Sequence, residues 1–524
     1  MSSLASYDAI VIGGGHNGLV AAAYLAKAGA QVLVLERRPV VGGAAVTEET
    51  WPGFHINTFS YVAGLFRPQI VDDLELRKFG YATILYDPQA FVPFPDGRSL
   101  SIWNDEEKSV REISKFSKKD ALAYPKFDQY WDNVLDLVEP LLLAPPVPLA
   151  DLVGMFRGPE AEELVRDLFL MSAQDFLDDW FESDQVKISF ATNAVIGEMV
   201  GPRTPGTAYV LAHHNVGILD DQRKVWGFSV GGMGRISESI AQAARHFGAT
   251  IRTGVAVRQI LMQNGRAVGV ETTTGEQIYA KAILSALEAK HTLLDLLPPD
   301  AVGAEVLNEV RKFRSRGAAL KFNAALRKLP TFRAAPETPG PHHKGAVEIA
   351  PSMDYLEKAY DQGKYGDFSD HPFADCVFQS ASDPSVAPPG KHTLTCFVQY
   401  APYELRNGKS WEEFKPEAAE IVLNTLEEYM PDIRACIEHW QIVSPQDIER
   451  VLGLTGGNIF QGDITPDQIF GFRPMLGWAQ YRTPLPGLYF CGSTAHPGGG
   501  VMGAPGHNAA QVVIEDLHAS QGST

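Results

Sequence analysis

The chain has 524 residues, 45% of them apolar and 21% charged. That composition excludes a disordered chain and a small disulfide-stapled domain, and it suffices for two or three packed domains. Lys and Arg number 45 against 63 Asp and Glu, a formal net charge of −18, and an acidic chain with no basic stripe is a poor nucleic-acid binder.

No apolar run reaches the ~20 residues of a membrane-spanning helix. A core strand starting near Tyr7 leaves no room for a cleaved signal. The expectation is a cytoplasmic protein that touches a membrane surface at most. Cys376, Cys396, Cys436 and Cys491 form neither a C-x-x-C pair nor a zinc-type spacing, so reduced thiols are expected, with no metal and no redox dithiol.

Tyr7 to Ile12 reads as a buried strand, short and rich in β-branched residues. It runs into Gly13-Gly14-Gly15-His16-Asn17-Gly18, a G-x-G-x-x-G, then a helix over 19–28 stopped by Gly29, then a strand over 31–35 ending on Glu36. Gly13 allows the tight turn, Gly15 lets the backbone approach a pyrophosphate, and Gly18 lets helix pack against strand. The helix N-terminus offers free N–H groups and partial positive charge to that pyrophosphate. Glu36 can accept bonds from a ribose hydroxyl. Strand, glycines, helix, strand and acid in that order specify dinucleotide binding. After Arg37-Arg38, the run Val41-Gly42-Gly43-Ala44-Ala45 is a second glycine turn, which could serve the same phosphates or be a plain turn.

Downstream, Phe127, Tyr130, Trp131, Val134, Leu135, Val138 and Leu142 recur at helical spacing, a stripe that reads as core before substrate wall. The proline-broken apolar run over 140–156 reads as a buried connection or as a mouth that touches lipid; without a lysine cluster, burial is the expectation. Ser172-x-x-Asp175 caps a further helix. Gly231-Gly232-Met233-Gly234 opens a helix over 235–247, followed by strand-like segments at 250–253, 255–262, 267–272 and 277–285, with an Asn264-Gly265 hairpin turn. Ser237 replaces the third glycine there and no acid ends the next strand, so a second, nicotinamide site is not expected. His342-His343 sit in a proline-rich stretch read as a solvated loop. Residues 487–510 read as strand, glycine loop and helix, with Pro505 in the first helical turn.

These stretches, taken together, resemble the flavin amine oxidase and phytoene desaturase superfamily. The narrower likeness is to its phytoene dehydrogenase-like subgroup. It rests on the run Glu36 to Glu49, on Thr204-Pro205-Gly206-Thr207-Ala208-Tyr209 to His214, on Trp226-Gly227 with Gly231 to Gly234, and on His496-Pro497-Gly498-Gly499-Gly500-Val501-Met502-Gly503. The resemblance covers essentially the whole chain. It implies an α/β fold: a Rossmann-like FAD-binding domain, discontinuous over 1–85, 222–292 and 465–524, and an α+β substrate domain over 86–221 and 293–464. It implies FAD contacts from Gly13, Gly15, Gly18, Glu36, Arg37, Gly43, Ala44, the backbone of Val257, Gly492, Ser493, Val501 and Met502. The chain departs from the pattern at Ser493, where the superfamily often has Asp, and at Gln461, where relatives usually have His.

The function that follows is FAD-dependent hydride transfer, desaturation or saturation, on a hydrophobic polyene or isoprenoid-like substrate. His496 is the candidate acid–base group, because it sits in the glycine loop and imidazole exchanges protons near neutral pH. Two alternatives stand beside it: a flavin amine oxidase, and a non-catalytic protein that uses FAD for stability. The substrate route is expected to be a long apolar tunnel with no paired carboxylates and no metal.

Overall fold

The computed structural model describes residues 6–155, 159–406 and 408–521. Its first sheet is built around the strand Ser6–Ile12, which pairs in parallel with Val32–Glu36 on one side and with Gln277–Ser285 on the other. Thr250–Thr253 extends the sheet beyond Val32–Glu36, and Leu488–Phe490 extends it beyond Gln277–Ser285, both in parallel. Val257–Gln263 and Arg266–Thr272 add an antiparallel hairpin off Gln277–Ser285, turning at Asn264-Gly265. Three stretches far apart in sequence thus make one sheet. Parallel strands buried on both faces need near-continuous apolar runs, and the strand Val32–Glu36 is buried at every position.

The helix His16–Lys27 packs against the sheet and against two more helices, Gly234–His246 and Ala504–Gln521. Asn17 through Ala26 are all buried, which the alanine run permits because small side chains let helices approach. At the crossing, a Cβ on Gly506 would lie 2.1 Å from the Asn17 carbonyl oxygen, so only glycine fits. The helix starts earlier than its apolar run predicts: Gly15, extended at φ −68°, is already the N-cap. The glycine motif and the first helical turn therefore overlap.

The second sheet has seven strands in the order Ile437–Val443, Ala319–Leu326, His392–Gln399, Phe373–Val377, Ala346–Ile349, Ala90–Pro93 and Ser99–Ile102. One face packs under the helix Trp411–Tyr429, whose capping box joins Ser410 and Glu413. The other faces inward, towards the first sheet's glycine loops and a cap of helices. That cap includes Lys118–Leu142, Ala173–Trp180, Asp184–Ala191 and Thr207–Asn215. Ser172 caps its helix as its spacing predicts, its hydroxyl accepting from the Asp175 N–H at 3.0 Å. Phe127, the centre of the aromatic stripe, touches the rings of Trp131, Phe176, Trp180, Phe181 and Phe190.

The run after this helix is a tied connection. The carbonyls of Leu142 and Ala144 accept from Asn508, and that of Pro146 from Gln480; Phe156 lies outside the described residues. One loop reading needs correction. His342 and His343 are buried, and the His343 ring donates to the Pro330 carbonyl at 2.9 Å. Aromatic neighbours Phe91, Phe332 and Phe378 take the rings inside. The cysteines also differ from their spacing: Cys376 and Cys396 stand opposite on neighbouring strands with sulfurs 3.1 Å apart. All four thiols are free and buried, and burial with the neighbouring sulfur pushes the Cys376 thiol well above its ordinary value. Native protein is therefore expected to show no thiol reactivity towards an aromatic disulfide reagent, and four equivalents after unfolding.

Among the described residues, no helix is long and apolar enough to cross a membrane.

Candidate cofactor and substrate site

The cofactor side begins with the glycines. A Cβ on Gly18 would lie 2.3 Å from the Gly13 carbonyl oxygen, while one on Gly15 would meet no protein atom within 4 Å. Gly18 therefore serves packing, and the backbone at Gly15 faces open space. Gly42, at φ 118°, donates its N–H to the Gly14 carbonyl at 2.8 Å, and Gly43 follows at φ 58°. The two glycine turns lie back to back, with the N-terminus of the helix His16–Lys27 beside them. Glu36 is held ready: its carboxylate accepts the N–H of Gly14 at 2.7 Å and of Arg38 at 2.8 Å. An open backbone cradle, a helix N-terminus and a fixed carboxylate match what a dinucleotide's pyrophosphate and ribose require.

The remaining cofactor candidates fall in different places. Val257 opens its strand two residues after Val255, whose N–H donates to the Glu36 carbonyl. The Ala44 carbonyl accepts both the N–H and the hydroxyl of Ser60. A Cβ on Gly492 would lie 2.4 Å from the Ala286 carbonyl oxygen. The Ser493 hydroxyl accepts from Asn17 at 3.0 Å, which joins the C-terminal glycine loop to the first helix. Val501 lines the same cavity as Ala44 and Ser493. Arg37 and Met502 point elsewhere. Arg37 donates to the carbonyls of Arg450 and Val451 at the end of the helix Pro445–Leu452, and Met502 is buried among Leu65, Leu135 and Leu142.

His496 is placed away from the cavity, against the expectation for it. Its ring donates from Nε2 to the Leu141 carbonyl at 3.0 Å and packs on Phe470. Burial pushes its pKa down to about 4. It braces the glycine loop against the long helix as a neutral ring. Gln461 braces the same loop from the other side, donating to the Ala286 carbonyl and accepting from the Thr494 N–H.

The sequence missed the residue that organises this region. Arg473 is fully buried, and its guanidinium donates to the carbonyls of Phe460, Gln461, Gly462, Asp463, Gln468 and Ser493. Nothing in its spacing marks it, because its partners are all backbone.

From Ala44, His16, Ser493 and Val501 a cavity of about 370 Å³ runs between the two sheets, a volume in the range of small-molecule sites. Phe59, Phe127, Trp131, Phe190 and Ile459 contribute apolar wall, and it reaches outward to Asn104, Asp128 and Lys224. Its inner end is polar, which overturns the expectation of a tunnel without paired carboxylates. Lys321, Phe397, Asp375 and Glu348 are register partners across four adjacent strands, and all four line the cavity. Tyr61 donates to Asp375 Oδ2 at 2.5 Å, and Thr192 donates to Glu348 Oε2 at 2.8 Å. Lys321 Nζ lies 3.6 Å from the centre of the Tyr61 ring.

Burial disfavours every charge in this cluster. It pulls Lys321 down to about 7, against the opposing pull of Asp375, and pushes Asp375 up to about 6 and Glu348 up to about 8. The signal in the sequence is a single ionisable residue inside each of three apolar strands: A-L-K-F, A-V-E-I and F-A-D-C-V. Alternation in a strand sends those side chains to one face and Cys376, Phe322 and Val347 to the other.

Two family models match the chain. An NAD(P)-binding Rossmann-like domain matches residues 11–77, and a flavin-containing amine oxidoreductase matches residues 154–514. The chain belongs to the flavin-containing amine oxidoreductase family. Pyridine nucleotide-disulfide oxidoreductase domain-containing protein 2 of Rattus norvegicus is 39% identical, over 98% of this chain and 94% of that protein. A limonene dehydrogenase component of Castellaniella defragrans is 28% identical, over 99% of this chain and 96% of that protein. Among solved structures, putrescine oxidase bound to putrescine covers 98% of this chain and 99% of its own, with a TM-score of 0.61 at 16% identity, a likeness of fold. The chain is an FAD-dependent oxidoreductase of this superfamily, and the cradle at Gly15 fits that cofactor.

Proposed function

We propose that this protein oxidises or reduces a carbon–carbon or carbon–hydrogen position of a mainly apolar substrate held in the cavity between the sheets. The observation that carries the reading is the shared lining: the aromatic walls and the cofactor-side residues His16, Ala44, Ser493 and Val501 bound one cavity. When bound, FAD supplies a hydride acceptor or donor. The protein supplies alignment and exclusion of water, and the polar end supplies a place for the accompanying proton. Lys321 Nζ and Asp375 Oδ1, both in the cavity wall, can take it. The groups facing Lys321 are Tyr61, Asp375 and, through the sheet, Cys376 and Cys396. The name of the limonene dehydrogenase relative, a terpene enzyme, agrees with an apolar substrate.

For an amine, the aromatic faces matter. Tyr61 and Phe397 stack near-parallel, 13° apart with ring centres 5.7 Å apart, and Lys321 already covers the Tyr61 ring. A second cation there meets repulsion.

The test is anaerobic mixing of the holoenzyme with isoprenoid substrates and with long-chain amines, following loss of the oxidised flavin's visible band. Isoprenoids should bleach the flavin and amines should not; the reverse selects the amine reading. The bleaching rate should rise with pH through about 7, where Lys321 loses its proton and becomes an acceptor. Lys321→Met should abolish that rise and slow reduction roughly 10²-fold.

A further inference from the structure

The polar end of the cavity holds three buried side chains with atoms that have no partner in the protein: Tyr86 Oη, Lys321 Nζ and Asp375 Oδ1. The residues are 1%, 2% and 8% exposed, and all three line the cavity. Their surroundings are otherwise settled. Tyr86 packs edge-on against Phe228 with ring centres 4.6 Å apart, Asp375 Oδ2 is taken by Tyr61, and Lys321 rests on the Tyr61 ring. Buried polar atoms are costly unless something bonds them; all three line one cavity, and Asp375 lies within electrostatic reach of both Tyr86 and Lys321.

Their chemistry selects among occupants. Lys321 can donate as an ammonium or as a free amine, Tyr86 can donate or accept, and a carboxylate oxygen of Asp375 accepts only. A hydrocarbon leaves all three unbonded. An ammonium has donors alone, so it satisfies Asp375 while placing a second cation beside Lys321. A carboxylate has acceptors alone, so it leaves Asp375 Oδ1 without a donor. A hydroxyl has one donor and two lone pairs, so it can donate to Asp375 Oδ1 and accept from Lys321 and Tyr86. We infer that the substrate is an amphiphilic alcohol, its apolar chain along the aromatic wall and its hydroxyl anchored by Tyr86, Lys321 and Asp375. This rests on reading the cavity as the substrate site.

The test is binding of farnesol and of its hydrocarbon counterpart farnesene to the holoenzyme, read as perturbation of the flavin spectrum, with dodecylamine as a third ligand. Farnesol should bind at least ~30-fold more tightly than farnesene, since a site built to bond a hydroxyl is left unpaired by its absence. Tyr86→Phe removes an oxygen that bonds nothing in the protein, so folding should be untouched. It should weaken farnesol about tenfold and leave farnesene unchanged, and Asp375→Asn should act in the same direction. Equal affinities for farnesol and farnesene, or tighter binding of dodecylamine, overturn the alcohol assignment and leave the cavity as the site. If none of the three perturbs the flavin, the cavity reading fails and the alcohol assignment falls with it.

Discussion

Gly15→Asp should purify as folded protein without flavin. The position is extended at φ −68° and a Cβ there meets no protein atom, so the chain accepts the side chain without strain. The new carboxylate stands where the pyrophosphate must lie. Two like charges ~4 Å apart repel by about 4 kcal/mol at an effective dielectric of ~20, which is about a thousandfold in Kd. Gly18→Ala should do the opposite kind of damage. Its Cβ would lie 2.3 Å from the Gly13 carbonyl oxygen and 3.0 Å from the Ala286 Cβ, so the helix must move off the strand and the fold weakens with the flavin. Urea unfolding of the apo forms, set beside flavin content after purification, separates the two. Full flavin occupancy in Gly15→Asp would show that the cradle is misassigned.

Arg473→Met should cost about 3–5 kcal/mol of stability, the range for breaking one side of a buried charged network. Burial pulls the guanidinium down to about 10, which leaves it charged at neutral pH. Its loss takes a charged donor from six carbonyls at once. It also removes one of the cations that favour ionisation of the fully buried Glu198, while Asp463 keeps its pairs with Arg316 and Arg314. Because Ser493 is one of those carbonyls, the C-terminal glycine loop should loosen and flavin should dissociate faster. Arg473→Lys should recover only part of the loss, since an ammonium has three donors at one point where the guanidinium has a five-donor fork. The midpoint of chemical denaturation and the flavin dissociation rate measure both effects. A variant with unchanged midpoint would show that Arg473 does not hold the region together.

What could be read from the chain was what is local. The unit from Tyr7 to Glu36 carries its strand, turn, helix and acid within one stretch, so each residue's job follows from its neighbours. The hairpin around Asn264-Gly265 is legible for the same reason. His496 shows the limit of that reasoning. It adjoins the glycine loop in sequence, but the fold turns its ring away to the Leu141 carbonyl, and adjacency says nothing of direction. Lys321, Glu348 and Asp375 were illegible because their meeting is a matter of register between strands up to 54 positions apart. Each alone is a single charge within an apolar strand. Cys376 and Cys396 escaped on the same ground, since sequence spacing cannot see across a sheet.

The most direct measurement is a crystal structure of the holoenzyme with FAD and an unreactive apolar ligand such as a saturated isoprenoid alcohol. The pyrophosphate should lie over Gly15, and the flavin ring should border Ala44, Ser493 and Val501. The ligand should run along Phe127 and Trp131 with its polar end on Lys321 and Asp375. A ligand bound elsewhere, or a flavin that fills the cavity and leaves no room before the Lys321–Asp375 cluster, would contradict the assignment of an apolar substrate to this site.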